Sequence, residues 1–497
     1  MDYLNHNVST IDTTIVILFI IGTLVIGYFI SKSVKGFDDF ALGGRSFGPF
    51  MLAITFGATN FSAWSLVGKP GVVYSAGIPI VWIALNALAC VMAAVCFAPV
   101  YRKLRYTTMS EIFEDRYDGR VRGLISVIWV IADTMNRFGV TVYAGAIIIA
   151  MIFGLNLSVV IIATSIVVLI YTVLGGLRSV VITDIFHFGF MWIGLFIGAL
   201  FIFIQFGGWN ELVASIPSYM SEWVPSAQNA NGWPWIIAMT LLGFPYFITS
   251  QFIMQRGLGA KNVNVARWGL LIAGLIAIPM ALLEILPGLA ARTLLNPADT
   301  AVMPTDAIGI AVYIELLPVG ILGIFIAAIV AAAFSTADSA MCASSTLVTE
   351  DFYRKIKPDR SSKHYLKVSR ITTVVVAILG TIWALLVPVM GGALSALLTV
   401  VAITDMPIFV VVVMAVFWKR INAMGALCGI IAGTVGGAIA AFTGAGGIQG
   451  LAATTFASTS IALVVCVVAS YVTKRNAAEE GRLDAFFAKL AAPSQEG

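Results

Sequence analysis

The sequence predicts an all-α integral membrane protein that crosses the bilayer thirteen times. Of its 497 residues, 60% are hydrophobic and 11% are charged, and the mean hydropathy is +0.97. These values exclude a soluble globular domain. The apolar residues are also grouped in runs of about 20, the length at which a helix spans the hydrocarbon core of a bilayer.

The basic residues fall almost entirely on one side of these spans. The predicted spans are residues 11–30, 47–67, 77–100, 123–153, 156–173, 181–206, 233–254, 268–290, 309–345, 370–388, 394–418, 423–443 and 450–473. If the N-terminus is outside, 26 of the 29 Lys and Arg residues lie in cytoplasmic loops or in the tail, residues 474–497. Because basic loops are retained in the cytoplasm, we expect this orientation.

The first span is expected to be a retained helix. It lacks a basic leader and a small-residue cleavage site, and it is long enough to cross the membrane, so a signal peptide is not expected. The loops are too short for a soluble catalytic or nucleotide-binding module. The sequence contains no basic patch interleaved with aromatic residues, so nucleic acid is not expected as a partner. The five cysteines lie in apolar spans without metal-site spacing, which indicates ordinary packing.

The second and seventh spans are expected to be broken. Small and polar residues fill the second span from Phe56 to Ser65, and Gly243 and Pro245 lie in the middle of the seventh. Unpaired backbone groups are costly in a bilayer core, so irregular backbone survives there only where it lines a cavity or binds something. Breaks five spans apart are typical of an inverted repeat that holds solute and ion near the midplane. Ordinary Gly and Ser packing between helices is the alternative.

The fourth span contains Arg137, the one basic residue that belongs to neither side. An unpaired arginine at the bilayer centre costs roughly 2.5–3.5 kcal/mol, so we expect a partner or a cavity. Asp133 lies four residues earlier on the same helical face and can form an ion pair with it. We favour the other interpretation, in which the planar guanidinium receives a solute carboxylate through two parallel hydrogen bonds.

The ninth span carries Ser335, Thr336 and Asp338 within two turns. Hard cations such as sodium prefer oxygen ligands, and hydroxyls together with freed carbonyls supply them without excess charge. Ser and Thr hydroxyls can instead bond to the preceding turn and bend the helix, although this does not explain Asp338.

Several motifs, in this order, resemble those of the sodium/solute symporter family, which includes bacterial sodium/proline and sodium/sialic acid symporters. The resemblance covers nearly the whole chain. It rests on residues 43–46, 57–64, 171–176 and 183–184, on Gln255 and Arg256, on Ser335 and Thr336, and on residues 417–419.

The resemblance implies a LeuT-like fold in one transmembrane domain, residues 1–473. Its inverted five-helix repeats would be residues 47–206 and 233–418, with peripheral helices at 11–30 and 423–473. The family's main sodium site maps onto the carbonyls of Ala58, Phe61 and Ala332 and the hydroxyls of Ser335 and Thr336. A second cation site maps onto Asp184, Ser335, Asp338 and Ser339.

Two departures from the family leave the coupling ion open. Asn60 stands where the proline symporters carry an aspartate, which removes one formal charge beside the main site. Asp338 stands where relatives with a second site have a hydroxyl residue. It could strengthen that site or turn it into a proton site, so a proton-coupled symporter that uses Asp338 or Asp184 is the alternative.

The resemblance also implies a set of substrate-binding residues. Arg137 lies on the substrate-facing side of its helix. At this position the sialic acid symporter has an arginine, and the sodium/galactose symporter, another member of the family, has a neutral amide. Trp64 and Tyr246 match family positions that line or cap the substrate pocket, and the hydroxyls of Ser62 and Ser65 lie at the break in the second span. The predicted substrate-binding set is therefore Ser62, Trp64, Ser65, Arg137 and Tyr246. We expect Lys69 to be an interfacial lysine that snorkels toward water, and the attraction of anions is the alternative. No partner can be named for Glu284, Asp405 or His187.

Together these features predict a Na+-coupled symporter of the bacterial inner membrane. It would import a small carboxylate-bearing solute, such as proline or another amino acid, sialic acid or another organic acid, by alternating access. We expect it to work as a monomer. A channel or a substrate sensor on the same scaffold is the alternative from another class. An enzyme is not expected, because the chain has only three histidines and no clustered catalytic set.

Overall fold

The computed structural model describes residues 8–225, 232–390, 393–443 and 450–492. In these ranges the backbone is almost entirely helical, and neighbouring α-helices are often joined directly through short 3-10 or π-helical segments. An isolated bridge pairs Phe47 with Ala260.

The α-helices are numbered in chain order. Those before residue 226 are α1 (Thr10–Ser31), α2 (Phe37–Leu42), α3 (Pro49–Asn60), α4 (Ala63–Leu66), α5 (Gly68–Ala76), α6 (Ala87–Met92), α7 (Ala98–Leu104), α8 (Glu111–Arg116), α9 (Gly119–Ile131), α10 (Thr141–Phe153), α11 (Leu157–Phe206), α12 (Trp209–Ala214) and α13 (Ser218–Ser221). Those after residue 231 are α14 (Trp233–Ile248), α15 (Gln251–Leu258), α16 (Val263–Leu294), α17 (Pro297–Val302), α18 (Ile308–Leu316), α19 (Ile321–Leu347), α20 (Arg354–Ile356), α21 (Ser362–Leu386), α22 (Ala393–Phe417), α23 (Ala423–Thr443), α24 (Leu451–Val472) and α25 (Ala477–Ala491). The connecting 3-10 segments are Gly43–Arg45, Ile78–Asn86, Thr305–Ala307 and Val387–Met390, and the π-helical segments are Ala93–Phe97, Ala132–Val140 and Val348–Tyr353.

The helices confirm the predicted all-helical membrane architecture. Among the described residues, ten helices are long and apolar enough to cross a membrane, or up to eleven if the bent pair α14–α15 is one span. The predicted spans 11–30, 423–443 and 450–473 agree with α1, α23 and α24 to within one residue at each end. The number thirteen stays a prediction, because it depends on how the broken segments are counted.

The predicted ninth span is wrong in its extent. Residues 309–345 are not one helix, because residues 317–320 separate α18 from α19. Pro318 cannot continue a helical hydrogen-bond ladder, and Gly320 has a φ of +85°. The long apolar run therefore conceals a turn.

The predicted fifth and sixth spans, 156–173 and 181–206, are joined without a loop in α11. A straight helix of its 50 residues would be about 75 Å long, far more than a bilayer core needs. The helix kinks at Gly176, which has φ 54° and ψ −149°. A Cβ at this position would lie 2.5 Å from the Phe40 side chain, so the kink requires glycine.

The centre of the bundle is α19. In the most apolar 18-residue stretch of the span Ile321–Ile356, 89% of the residues are buried, compared with 22% in the corresponding stretch of α1. α19 packs against α11, α1, α10 and α21 and against the π-helical segment Ala132–Val140. It is rich in Ala and Ser, and small residues let neighbouring helices approach closely. Its polar groups therefore face protein rather than lipid.

The end of the bundle where residues 32–46, 102–122 and 256–262 meet is called the basic end. Arg45 donates to the carbonyls of Leu258 at 3.1 Å and Arg105 at 2.9 Å, and Arg102 donates to the carbonyl of Lys261 at 2.8 Å. Burial, together with the positive charges of Arg102 and Arg105, lowers the pKa of Arg45 to about 10. These contacts hold the loops of the basic end together.

Candidate functional site

The predicted break in the second span is present where α3 ends at Asn60 and the chain continues irregularly into α4 and α5. The last carbonyls of a helix have no intrahelical partner and form the negative end of its dipole. Here the carbonyl of Ala58 accepts a hydrogen bond from Ser335 Oγ at 3.0 Å. The carbonyl of Thr59 accepts one from the Tyr246 hydroxyl at 3.0 Å. Side chains from other helices therefore donate hydrogen bonds to the carbonyl groups at this helix end.

The residues predicted for the main sodium site surround that helix end. Ser335 and Thr336 lie on α19 and are 0% and 5% exposed, and Ala58 and Phe61 are buried at the end of α3. Thr336 Oγ1 donates to the carbonyl of Ala332 at 3.3 Å. The Ser335 hydroxyl and the Ala58 carbonyl thus meet at the negative end of a broken helix, where such oxygens suit a hard cation. The Thr336 hydroxyl instead makes the bond to the preceding turn of α19 that the sequence left as the alternative.

The predicted break in the seventh span is present as a bend of 43° between α14 and α15. It lies at residues 249–250, a few residues after Gly243 and Pro245, which are both inside α14. Pro245 lies inside α14 and has no N–H to donate. Its carbonyl accepts from the N–H groups of both Thr249 at 2.9 Å and Ser250 at 3.0 Å. Through the bond from Tyr246 to Thr59, this bent region is connected to the break in the second span.

A cavity of about 150 Å³ lies between the two breaks. Its walls come from α3, α4, α5, α14, α16 and α22 and from the segment Ile78–Asn86. The predicted residues Ser62, Ser65 and Tyr246 line it. The side chain of Trp64 lies outside the described residues, and Arg137 is not among the described residues that line the cavity.

The wall of this cavity contains a buried ion pair. Lys69 on α5 forms a salt bridge with Glu284 on α16, and the two residues are 5% and 4% exposed. The expectation that Lys69 snorkels at the interface is wrong, because its ammonium group is paired inside the bundle. Glu284, for which the sequence indicated no partner, is that partner.

Arg137 belongs to a three-residue group, called here the Arg137 group, with Asp133 and Asp405. Both carboxylates form salt bridges with the guanidinium. Ser250 Oγ lies 3.3 Å from Arg137 Nη2, and the guanidinium packs 4.5 Å from the centre of the Phe252 ring. The i,i+4 partner suggested by the sequence is therefore present, together with a second carboxylate that comes from α22.

The residues predicted for the second cation site surround Arg256, which is 0% exposed. Its guanidinium donates to Asp184 Oδ2 at 3.1 Å and also to the Ser339 hydroxyl. Asp338 accepts from the Tyr171 hydroxyl at 2.8 Å. The predicted spans leave Arg256 in the loop after residue 254, and this is wrong, because Arg256 is a buried residue of α15. In the sequence, Arg256 was noticed only as part of a family motif. Its distance from other polar residues along the chain did not indicate that it is buried.

His187 also reaches this region. Its Nε2 lies 3.1 Å from the Thr23 hydroxyl. Asp184, His187 and Asp338 each offer one ligand atom, and these atoms lie within 4.8 Å of one another. The set can hold a cation chemically, but a guanidinium already contacts Asp184 there.

Comparison with known proteins gives matches that cover most of the chain. The family model described as the sodium:solute symporter family matches residues 40–433. A sodium/glucose cotransporter of Vibrio parahaemolyticus is 25% identical over 471 residues, which is 87% of this chain and 85% of that protein. Sodium/myo-inositol cotransporter 2 of Mus musculus is 28% identical over 469 residues, which is 86% of this chain and 69% of that protein.

Solved structures of similar fold confirm the predicted LeuT-like architecture. A Na+-coupled sialic acid symporter in a substrate-bound outward-open state superimposes with a TM-score of 0.84 at 20% identity, over 94% of this chain and 98% of that one. A nucleobase-cation-symport-1 family transporter in a closed conformation gives a TM-score of 0.57 at 14% identity, over 90% and 98% of the two chains.

Proposed function

We propose that this chain, which belongs to the sodium:solute symporter family and is a sodium-coupled transporter rather than an enzyme, imports a small carboxylate-bearing solute by alternating access. The sodium ion would bind to the carbonyls of Ala58, Phe61 and Ala332 and to the hydroxyls of Ser335 and Thr336. The solute would bind in the cavity between the two helix breaks. Family membership supports sodium coupling, whereas the solute class and these ligands are our proposal.

The observation that carries the sodium site is the 3.0 Å contact between Ser335 Oγ and the carbonyl of Ala58. This contact joins α19 to the broken end of α3, so an ion bound there would hold the two helices in one arrangement. Phe61 lies at that helix end and also lines the cavity, which brings the ion next to the solute. Coupling requires that the ion bind one conformational state more tightly than the other.

Replacing Ser335 and Thr336 with alanine tests this site. We expect each substitution to raise the sodium concentration for half-maximal uptake by about tenfold or more, because a hydrogen-bonding or ligating group for a charge is lost. Uptake into proteoliposomes at varied sodium measures the change. Ser345→Ala is the matched control, since the Ser345 hydroxyl donates to the carbonyl of Cys342 within α19.

Four outcomes would contradict the sodium site or the symporter. An unchanged sodium requirement in both alanine variants would contradict the site. Uptake driven by a pH gradient without sodium would instead favour proton coupling through Asp338 or Asp184. Flux without accumulation would favour a channel, and binding without flux would favour a sensor.

Two basic side chains compete for the solute's carboxylate. Arg137 is the residue that the sequence favours, and its role stays a prediction. A carboxylate could bind there only by displacing Asp133 or Asp405 from the guanidinium, because both contact it. Lys69 lines the cavity, but its ammonium group is likewise already paired, with Glu284. A neutral polyol is the competing solute class, because the similar proteins from Vibrio parahaemolyticus and Mus musculus are named for glucose and myo-inositol.

The second cation site is also a matter of proposal. Arg256 supplies a fixed positive charge to Asp184 and Ser339, so we favour a single sodium at the main site. The excess of Lys and Arg in the loops of the basic end supports a cytoplasmic basic end, an outside N-terminus and, by family resemblance, a bacterial inner membrane. Repeats at 47–206 and 233–418 and a monomeric working state belong to the same proposal.

A further inference from the structure

We propose that the protein binds one anionic phospholipid at the basic end of the bundle. An acyl chain would lie in a groove between α1 and α11, and the phosphate would lie beside Lys32 and Arg178. This lipid site goes beyond the transport of a solute. It takes from the proposed function only the cytoplasmic location of the basic end, because the cytoplasmic leaflet is the one that carries a negative surface potential.

The groove has a volume of about 280 Å³ and opens on the outer surface of the bundle. Its lining consists of apolar and aromatic side chains within residues 24–29 of α1 and 170–174 of α11. Phe29 is 62% exposed and Ile170 is 44% exposed, so the groove is accessible from outside. Both helices are long and apolar enough to span the membrane, so this surface faces hydrocarbon. An acyl chain is therefore the occupant whose chemistry matches the groove.

The groove extends to the basic end of the bundle. Its lining residues on α1 lie in the last two turns of that helix, which ends at Ser31. A Cβ at Gly27 would lie 2.4 Å from the Cβ of Tyr171, so α1 and α11 are in close contact beneath the groove. Tyr171 is 0% exposed and closes the inner side. A lipid chain in this groove would thus have its headgroup next to the loop that follows α1.

Two basic side chains lie where the headgroup would be. Lys32 Nζ lies 4.6 Å from the centre of the Tyr28 ring and 5.2 Å from that of the Phe29 ring, and both rings line the groove. Arg178 Nη1 donates to the carbonyl of Ser33 at 3.4 Å, so α11 places its guanidinium beside the turn after α1. An apolar groove that ends at an ammonium and a guanidinium group matches an acyl chain that ends at a phosphate.

The charge at this end of the groove also matches a phosphodiester. Asp39 pairs with Arg178 at 3.6 Å, but the side chains are 25% and 33% exposed, so the guanidinium stays accessible to a headgroup. The negative charge of Asp38 acts on a different residue, Arg45. Two cations and one carboxylate, Lys32 and Arg178 against Asp39, leave one positive charge in excess. One phosphodiester would neutralise it.

Lipid binding to the purified full-length protein in detergent tests the proposal. Native mass spectrometry and thermal stabilisation are measured with phosphatidylglycerol, with phosphatidylcholine of the same acyl chains, and with glycerol phosphate, which has the phosphate without a chain. We expect one phosphatidylglycerol molecule to bind about tenfold or more tightly than phosphatidylcholine, because two basic side chains attract its net charge. We expect no stabilisation by glycerol phosphate at the same concentration.

Two results of this comparison would overturn the proposal. Equal binding of the two lipids would show that the headgroup charge is not recognised. Stabilisation by glycerol phosphate as strong as that by phosphatidylglycerol would show that the site takes free phosphate and that the groove contributes nothing. Neither result depends on uptake, so the lipid site and the proposed function can fail separately.

Charge substitutions locate the headgroup. Lys32→Gln and Arg178→Gln should each weaken phosphatidylglycerol binding by about fivefold and leave phosphatidylcholine binding unchanged, because each removes one charge next to the phosphate. Arg420→Gln is the matched control, because Arg420 is also exposed and packs 4.1 Å from the centre of an aromatic ring, that of Tyr471, but does not line the groove. Equal losses in all three variants would indicate general attraction to a basic surface and would reject the defined site.

Val25→Trp tests the groove without changing the charge. Val25 lines the groove and is 46% exposed, so a larger side chain fills the space without entering the core of the bundle. We expect phosphatidylglycerol binding to weaken by about tenfold, because the acyl chain loses its apolar contact. Unchanged binding would contradict the groove as the acyl-chain site. If a variant fails to fold, the comparison of the three ligands on the wild-type protein still decides the proposal.

Discussion

The Lys69–Glu284 pair and the Arg137 group both bury a basic side chain in the helix bundle, but they differ in balance and in position. The salt bridge between Lys69 and Glu284 lines the cavity, whereas the Arg137 group joins one cation to two carboxylates and is absent from the described wall. An intramembrane basic residue thus indicates a functional region.

The largest effect is expected for Arg137→Ala. This substitution leaves two buried carboxylates without their cation, and removing one partner of a buried ion pair typically costs about 3–5 kcal/mol. We therefore expect a large fall in the melting temperature of the purified protein, measured by differential scanning fluorimetry.

The triple variant Arg137→Leu, Asp133→Asn, Asp405→Asn is the control for this experiment. It removes the charges together, so it should recover most of the lost stability. If Arg137→Ala alone were as stable as the wild type, the view that Arg137 stabilises the two buried carboxylates would be wrong.

A smaller effect is expected for Asp405→Asn, and this variant distinguishes the two candidate carboxylate receptors. It removes the excess negative charge and makes the guanidinium more available. If Arg137 received the solute, the half-saturation concentration for uptake should fall by about tenfold, because a competing carboxylate is gone. We expect instead a change within about twofold, because Arg137 is not among the described residues that line the cavity. Concentration-dependent uptake in proteoliposomes measures this.

The smallest effect is expected for Lys489→Ala, which defines the baseline for an exposed ion pair. Lys489 Nζ lies 2.9 Å from Asp115 Oδ2, and the two side chains are 55% and 32% exposed. Exposed pairs typically contribute 1 kcal/mol or less, so we expect a change in stability of less than about 1 kcal/mol and normal uptake. A loss comparable to that of Arg137→Ala would contradict the distinction between buried and exposed pairs.

Local chemistry explains which features could be predicted. The breaks near Phe61 and Pro245 were predicted because polar, Gly and Pro residues interrupt apolar runs where backbone groups must find partners. Ser335 and Thr336 were identified because hydroxyls in a central span suit a cation and match a family motif. The turn at residues 317–320 was missed, because the run around it stays apolar on both sides.

Long-range pairing explains what could not be predicted. Glu284 lies 215 residues from Lys69, and Asp405 lies 268 residues from Arg137. Periodicity within one helix reveals neighbours three or four residues apart, such as Asp133 and Arg137, but not residues on different helices. The burial of Arg256 was missed for the same reason.

The sequence by itself determined that this is a polytopic helical membrane protein. It also determined that the second and seventh spans are broken, and it identified the family that the chain resembles. Hydropathy, charge asymmetry and local motifs depend only on residues that are close together in the sequence, so they can be recognised without knowledge of how the helices pack. The tertiary structure alone decided which charges face the cavity and which neutralise one another. Those pairings depend on how helices from distant parts of the sequence pack side by side, where the low-dielectric interior makes each partner decisive.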